Sequence, residues 1–502
     1  MPASEPGPSV PRAYRWTQSF LGLIVRMFFR RVHVTGLENI PSRGGGIIVA
    51  WHPNALVDPG LIITEFPRQV AFGARHALFD VPLLGSVMRA VGAVPIYRAI
   101  DKAQTGTEAR RNANTQSLDA LAERVASGSF AALFPEGVSH DEPHLMELKT
   151  GAARLYYRAR ARQRSGEPAP VVLPVGLHYD DKQMFRSNAL VVFHPPLPLP
   201  PDLDVTPPDG EDPAEARDRA RRLTGEIERA LEEVVYATES WDLHDLMHRV
   251  RTLLRAERAY RVGVDPGRTG IRERVLGFAR VWKTYRAHRE TDPERVEALR
   301  QLVQAYDTDL TALALTDRDL NQSPKAASLG LTLMLVLQVV LVYLLLPPIL
   351  IVGYLVNLPA AVLVVLLARR MAALKKDEAS LKLMFGVIAF PLTWLLAGGL
   401  AAWVHVELRA VFPSLPGGAV MTGMIFALVG AVGGALSVRY LRITREVTRA
   451  FRVRLTRRRR AETIERLRRE RAALHDALAE FTGGVDLPGE VKSDGRVAGD
   501  LA

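Results

Sequence analysis

Cysteine is absent from all 502 positions. That excludes a disulfide framework, a thiolate metal site and a cysteine nucleophile. A secretory signal is not evident at the start, where residues 1–12 are Pro-rich and polar and read as a disordered N-terminus. A phosphate-binding Walker loop is missing too. The triple glycine Gly44–Gly46 precedes a strand-like run rather than a helix, and no Lys-Ser/Thr follows it, so it reads as a turn.

What is present is unevenly spread. Apolar residues concentrate between Leu329 and Val438, and arginine concentrates just after. From Arg439 to Arg471, 14 Arg stand against four Glu, which accounts for almost all of the net charge of +11. A basic block binds nucleic acid or an anionic membrane surface. Its place directly after an apolar segment, with no aromatic or Gly-rich recognition element, favours anionic membrane lipid, and no nucleic acid partner is expected.

Residues 13–32 carry Trp16, Phe20, Leu21, Ile24, Met27 and Phe28 at helical spacing beside Arg26, Arg30 and Arg31, the pattern of an interfacial helix. Short apolar runs then alternate with helical stretches. Ile47–Ala50, Gln69–Phe72, Val91–Ile96, Phe130–Phe134, Val171–Val175 and Leu190–Phe193 read as strands, with Thr107–Ser127 and Leu148–Arg164 as helices among them. Such alternation implies an α/β domain around one sheet. After a Pro- and Asp-rich linker, Leu223, Ile227, Leu231 and Val235 mark a charged helical extension without a catalytic constellation. Four apolar stretches follow, about 329–346, 349–368, 383–404 and 419–438, each near the roughly 20 residues that span a bilayer. Pro347 and Pro348 separate the first two. Basic residues crowd the 369–382 loop and the tail, so the positive-inside rule puts the N-terminal domain and the C-terminus on the cytoplasmic side.

Four motifs carry chemistry. In WHPNALVDP, Trp51 to Pro59, His52 follows a strand end and can act as general base on an acceptor hydroxyl. Asp58 can hold its tautomer and stabilise the imidazolium. In GAVPIYR, Arg98 follows a strand, and a guanidinium binds phosphate through paired charge-assisted hydrogen bonds. In LFPEGVSH, Glu136 is placed to anchor polar groups of an acceptor, Gly137 permits close backbone approach, and Ser139 and His140 add hydrogen-bonding groups. Lys149 follows near the start of a helix, whose N-terminus favours anions. In VVLPVGLHY, Pro174 suggests an edge strand or bulge, and His178 and His194 read as structural. Taken singly, each has an ordinary explanation: a surface Arg, a cap carboxylate, a chance His and Asp.

Their order and spacing together resemble the glycerolipid acyltransferase superfamily over about residues 35–200. The resemblance implies that His52 is the base, that Asp58 orients it, and that Arg98 with the Glu136–Gly137 block binds the acceptor phosphate. One departure stands out. Five residues separate His52 from Asp58 where the usual motif has four, and the four-residue position is Val57. HPNALVDP, FPEGVSHD and FRSNALVVF are similar to the yeast-type glycerol-3-phosphate and dihydroxyacetone-phosphate acyltransferases, which use the longer spacing.

The expected architecture is therefore an α/β acyltransferase domain with a central mixed sheet over residues 13–205, a helical extension over 206–325, a four-helix transmembrane region over 326–440 and a basic helical tail over 441–502. The expected reaction moves a fatty acyl group from acyl-CoA or acyl carrier protein to glycerol 3-phosphate, or alternatively to the lysophospholipid 1-acylglycerol 3-phosphate. It needs no metal and no bound cofactor. The expected location is an integral membrane protein of a bacterial inner membrane or its equivalent. A competing reading, a non-catalytic membrane protein that binds anionic lipid, predicts a degraded motif set.

Overall fold

The computed structural model describes residues 11–81, 84–97, 107–163, 166–182, 184–208, 210–267, 269–321, 329–371 and 378–501. In chain order, the first domain comprises α1 (Arg12–Phe28), β1 (Arg31–Thr35), β2 (Gly46–Ala50), α2 (Val57–Glu65), β3 (Val70–Arg75), α3 (Leu84–Ala90), β4 (Val94–Ile96), α4 (Thr107–Ala126), β5 (Phe130–Leu133), α5 (Gly151–Ala161), β6 (Val171–Tyr179) and β7 (Asn188–Phe193). Then come α6 (Pro213–Val235), α7 (Trp241–Arg261), α8 (Ile271–His288), α9 (Pro293–Ala312) and α10 (Asp317–Asn321). The apolar part holds α11 (Leu329–Val340), α12 (Leu346–Met371), α13 (Glu378–Val411) and α14 (Ala419–Arg459). The chain closes with α15 (Ala461–Phe481) and a hairpin of β8 (Glu490–Val491) and β9 (Val497–Ala498).

Seven strands form one sheet in the order β1-β7-β6-β2-β5-β3-β4. β2 lies parallel to both β6 and β5, β3 is parallel to β5 and β4, β7 is antiparallel to β6, and β1 is parallel to β7. The sheet is thus mixed. All five residues of β2 are buried, as a parallel strand covered on both faces requires. Ile48 and Ala50 point into a core shared with α1 and α2, while Ile47 and Val49 point into one shared with α4, α5 and α6. Helix α6 begins the region read from sequence as an extension, yet its Leu223, Ile227 and Leu231 complete the second face of the sheet.

Two local expectations fail for visible reasons. Pro174 lies in a central strand rather than at an edge. β6 pairs with β2 over Val171–Val175 and with β7 over Val175–Tyr179. Pro174 therefore turns its nitrogen toward a side where the β7 ladder has ended, and its carbonyl accepts from the His194 N–H at 3.0 Å. The helix expected over residues 13–32 stops at Phe28, and Arg31–Thr35 becomes edge strand β1. The Arg30–Arg31 pair had masked the Val32/Val34 alternation of that strand.

The apolar region also differs from expectation. Among the described residues, three helices are long and apolar enough to cross a membrane: Gly353–Met371, Leu381–Val411 and Ala419–Ser437. The expected first span is instead the 12-residue α11, which continues through a π-helical turn, Leu341–Leu345, into α12. Pro347 and Pro348 sit in the first turn after that wider coil, where missing N–H groups cost least. Asn357 ties three helices together: its Nδ2 donates to the carbonyls of Gly353 (2.9 Å) and Gly430 (2.7 Å), and its Oδ1 accepts from Trp394 Nε1 at 2.9 Å. A Cβ on Gly433 would lie 2.6 Å from the Gly353 Cα, so α12 and α14 meet backbone to backbone.

The tail is not helical throughout. α15 folds back onto α7 and α9, and the β8–β9 hairpin packs on α8. At the centre of that return is Arg471, fully buried, whose Nε donates to Glu257 Oε2 at 2.8 Å and whose guanidinium also donates to the Asp317 carbonyl at 2.8 Å. Removing Arg471 leaves the buried Glu257 with Arg261, 3.0 Å from its other oxygen, in place of two cations. Arg471→Met is expected to lower the unfolding free energy by about 3 kcal/mol in denaturant titration, and adding Glu257→Leu to recover much of it. Equal stability of the single variant and wild type would show that the pair does not hold the tail.

Candidate active site

Parallel strands deliver their following loops to one edge of the sheet, where ligands bind in such folds. β2 ends at Ala50 and hands over Trp51 and His52; β5 ends at Leu133 and hands over Phe134, Pro135 and Glu136. The two strands are neighbours, so the two motifs meet. His52 lies stacked on Phe134, ring centres 3.9 Å apart and planes 10° from parallel. Trp51 fixes the strand exit by donating its indole N–H to the Leu177 carbonyl at 3.1 Å.

His52 Nδ1 lies 2.8 Å from Asp58 Oδ2. The five-residue interval closes through a tight turn in which Ala55 takes a left-handed conformation (φ 40°) and Asn54 O accepts from the Val57 N–H at 2.9 Å. Asp58 then falls in the first turn of α2, a favourable place for a negative charge. Its side chain is fully buried and both of its oxygens accept hydrogen bonds. Oδ2 also accepts from the Asn54 N–H at 2.7 Å, and Oδ1 accepts from the Tyr179 hydroxyl. Burial, and then the charge and hydrogen bond of Asp58, raise the Tyr179 pKa well above its usual value, so that hydroxyl stays a neutral donor. With the carboxylate on Nδ1–H, the His52 lone pair is on Nε2. The His52 side chain keeps 17% of its surface exposed.

Glu136 is buried and committed to protein donors. Oε2 accepts from the His52 backbone N–H at 3.1 Å, and Oε1 from the Met146 N–H at 2.9 Å. His140 Nε2 is 2.5 Å from Oε1, and its Nδ1 accepts from the Glu142 N–H at 3.2 Å, which leaves Nε2 as the donor. The His140 N–H in turn donates to the His52 carbonyl at 3.1 Å. Glu136 thus clamps the His52 backbone and shapes the loop; its oxygens do not face open space. Gly137 turns the chain with φ 71°, beside the Lys149 stem. Lys149 Nζ is exposed and pairs with Glu147 at 3.0 Å, while its N–H donates to the Pro135 carbonyl at 2.7 Å. Ser139 is half-buried in the same turn.

Arg98 lies outside the described residues. The strand before it ends on the same edge of the sheet, since β4 is parallel to β3. Asn114 fixes that end by bonding both the N–H (2.8 Å) and the carbonyl (2.7 Å) of Tyr97. His178 and His194 are half-buried, His178 stacked on Tyr236, and desolvation lowers their pKa values to about 3 and about 4. Sequence reasoning missed Tyr179, Phe134 and the buried pairing of His140 with Glu136. Tyr179 ends the VVLPVGLHY run, but nothing in that run pointed toward Asp58.

Residues 31–178 match the acyltransferase family model, and residues 279–485 match the model of the glycerol-3-phosphate acyltransferase 2 C-terminal domain. The chain is 24% identical to an uncharacterized acyltransferase of Schizosaccharomyces pombe over 36% of its own length and 38% of that protein. It is also 24% identical to glycerol-3-phosphate O-acyltransferase 2 of Saccharomyces cerevisiae, over 42% of its own length and 26% of that one. The matched stretches therefore cover well under half of these curated relatives. A crystal structure of the 1-acyl-sn-glycerophosphate acyltransferase from Thermotoga maritima superposes with a TM-score of 0.29 at 20% identity, covering 44% of this chain and 80% of that one. With an acyltransferase domain at one end and the glycerol-3-phosphate acyltransferase 2 C-terminal domain at the other, the chain belongs to the glycerolipid acyltransferase superfamily.

Proposed function

We propose that the protein transfers a fatty acyl group from a thioester donor, acyl-CoA or acyl carrier protein, to the hydroxyl of glycerol 3-phosphate. The observation that carries this reading is the buried Asp58 on Nδ1 of His52, with Nε2 left for a substrate. The names and domains of the relatives, glycerol-3-phosphate acyltransferase among them, support the choice of acceptor.

An aliphatic hydroxyl needs its proton removed to attack a carbonyl. His52 Nε2 takes that proton as the oxygen bonds to the thioester carbon. The imidazolium that forms is stabilised by Asp58, itself held by Tyr179 and Asn54. The tetrahedral intermediate collapses, the C–S bond breaks, and the proton on Nε2 passes to the leaving thiolate. Ser139, Lys149 and the Gly137 backbone are assigned to the acceptor phosphate, and Arg98 is added to them on the resemblance of GAVPIYR alone; Glu136 acts on the geometry of His52 rather than on the phosphate, which it would repel.

The domain also has a surface suited to a lipid product. On α1, Tyr14, Val25 and Phe28 face the core, while Trp16 (79% exposed), Phe20, Leu23 and Met27 form an outward stripe at helical spacing. Leu383 of α13 packs against the same core cluster. The apolar helices and this stripe together hold the site at a membrane surface, on the cytoplasmic side in this reading.

Acyl transfer by the purified full-length protein, with labelled acyl-CoA and either glycerol 3-phosphate or 1-acylglycerol 3-phosphate, tests the proposal. Product from glycerol 3-phosphate is expected, falling by about a thousandfold in His52→Ala without loss of fold. Product only from 1-acylglycerol 3-phosphate would reassign the acceptor, and undiminished turnover in the variant would remove His52 as the base. Asp58→Asn keeps the shape but favours the wrong tautomer, and is expected to cut kcat by about a thousandfold or more with little change in KM. Tyr179→Phe removes one hydrogen bond to Asp58 and is expected to cost about tenfold in kcat, because a hydrogen bond to a charged group is worth about 1.5 kcal/mol. A Tyr179→Phe enzyme at full kcat would show that the hydroxyl has no part in positioning Asp58.

A further inference from the structure

The helical extension, away from His52, encloses a cavity of about 350 Å³ between α7, α8, α9 and α15, a size typical of small-ligand sites. Much of its wall is apolar: Leu246, Met247, Val250, Val303, Leu478 and Phe481. The charged residues around it are unbalanced. Glu273 pairs with Arg255 at 2.8 Å, Glu297 with Arg300 at 3.6 Å, and Glu239 with Arg289 at 2.9 Å. Arg251, Arg258 and Arg280 remain, none with a carboxylate partner among the described residues. Arg280 donates to the carbonyls of Pro488 (3.0 Å) and Gly489 (2.8 Å). Arg251 reaches only Thr252 Oγ1 at 3.2 Å, and its buried Nε has no acceptor.

This arrangement is costly for a merely structural helix bundle. Two of the cations, Arg258 and Arg280, repel each other, and the carboxylate that Arg251 feels, Glu273, is already paired with Arg255. Burial, and then the charge of Arg274, lower the pKa of Arg251 to about 10 against the opposing charge of Glu273, and burial, and then Arg280, lower that of Arg258. The chain makes room for the cluster: a Cβ on Gly277 of α8 would lie 2.7 Å from the Arg251 Cγ. An anion with several oxygens satisfies three guanidinium groups, and an attached hydrocarbon chain covers the apolar wall.

We propose that this cavity is a second, non-catalytic site for a single-chain lipid bearing a phosphate, with the phosphate on Arg251, Arg258 and Arg280 and the acyl chain along Met247, Val250 and Val303. The same chemistry is offered by a free monoacyl glycerophosphate and by a long-chain acyl-CoA. Occupancy does not depend on the reaction assigned to His52.

The test uses the full-length protein in phosphatidylcholine nanodiscs and a 1-acylglycerol 3-phosphate probe with a photoreactive group at the chain end. Cross-linked peptides are mapped by mass spectrometry. Labelling is expected in α7, α9 and α15, unchanged by His52→Ala. Arg251→Met with Arg258→Met is expected to reduce it about tenfold or more, as loss of charged hydrogen bonds implies, and Val303→Trp, which fills the cavity, is expected to do the same. Oleate and inorganic phosphate, each carrying half of the ligand, should compete far less well than unlabelled probe lipid. Whichever of monoacyl glycerophosphate or acyl-CoA displaces the probe at lower concentration is the source of the ligand. Labelling confined to residues 31–200 and 329–459, or equal labelling by a neutral monoacylglycerol probe, would overturn the proposal even if the arginine variants fail to fold.

Discussion

A carboxylate with no contact with water must find its solvation inside the protein, and Asp58 imposes that demand on three separate parts of the chain. Its oxygens are met by His52 at the end of β2, by the backbone of Asn54 in the intervening turn, and by Tyr179 at the end of β6. None of the three can drift without leaving charge unsolvated in the core, which costs several kcal/mol. The strands on which they sit are neighbours, so the register of β2 against β6 and the position of the carboxylate are one constraint. Glu136 repeats the device from the other side. Anchored by His140 and the Met146 N–H, it holds the backbone of His52 while Asp58 holds its ring. Two buried carboxylates therefore locate one partly exposed imidazole.

That arrangement explains what could be read in advance. A contact that depends on local spacing, such as that of His52 with Asp58 across one turn, was legible, as was the strand–helix alternation that signals an α/β sheet. Tyr179 was not, because it reaches Asp58 across 121 residues through strand pairing that no linear pattern encodes. The partners of Glu136 were not legible. In sequence a carboxylate beside glycine suggests ligand contact, whereas only the fold shows that both oxygens are occupied. Pro174 misled for a related reason: proline reports a missing donor, and a strand that changes partner midway tolerates that in the centre of a sheet. The apolar runs were located by composition, but whether Pro347 and Pro348 break a helix depends on the π-helical turn before them.

The helical extension and the apolar bundle follow different rules. In the extension, arginine–carboxylate pairs such as Arg471–Glu257 join elements far apart in sequence, so the fold there is specified by charge placement as much as by the apolar period. In the bundle, glycines bring backbones together, and a single amide, Asn357, joins three helices. A side chain with two donors and an acceptor fully used in apolar surroundings fixes rotation about each helix axis, which van der Waals packing of small residues alone would not.

α14 runs unbroken for 41 residues, about 60 Å and roughly twice the thickness of a hydrocarbon core. Its apolar stretch ends near Ser437, and the remainder continues in the same coil until α15 turns back onto α7 and α9. In a bilayer, one end of this helix obeys the lipid and the other is bolted to the extension. A change in tilt of about 10°, well within what spanning helices adopt as bilayers thin or thicken, moves the far end by about 5 Å. Such a movement would be passed on to α15, whose Leu478, Phe481 and Thr482 line the arginine-lined cavity.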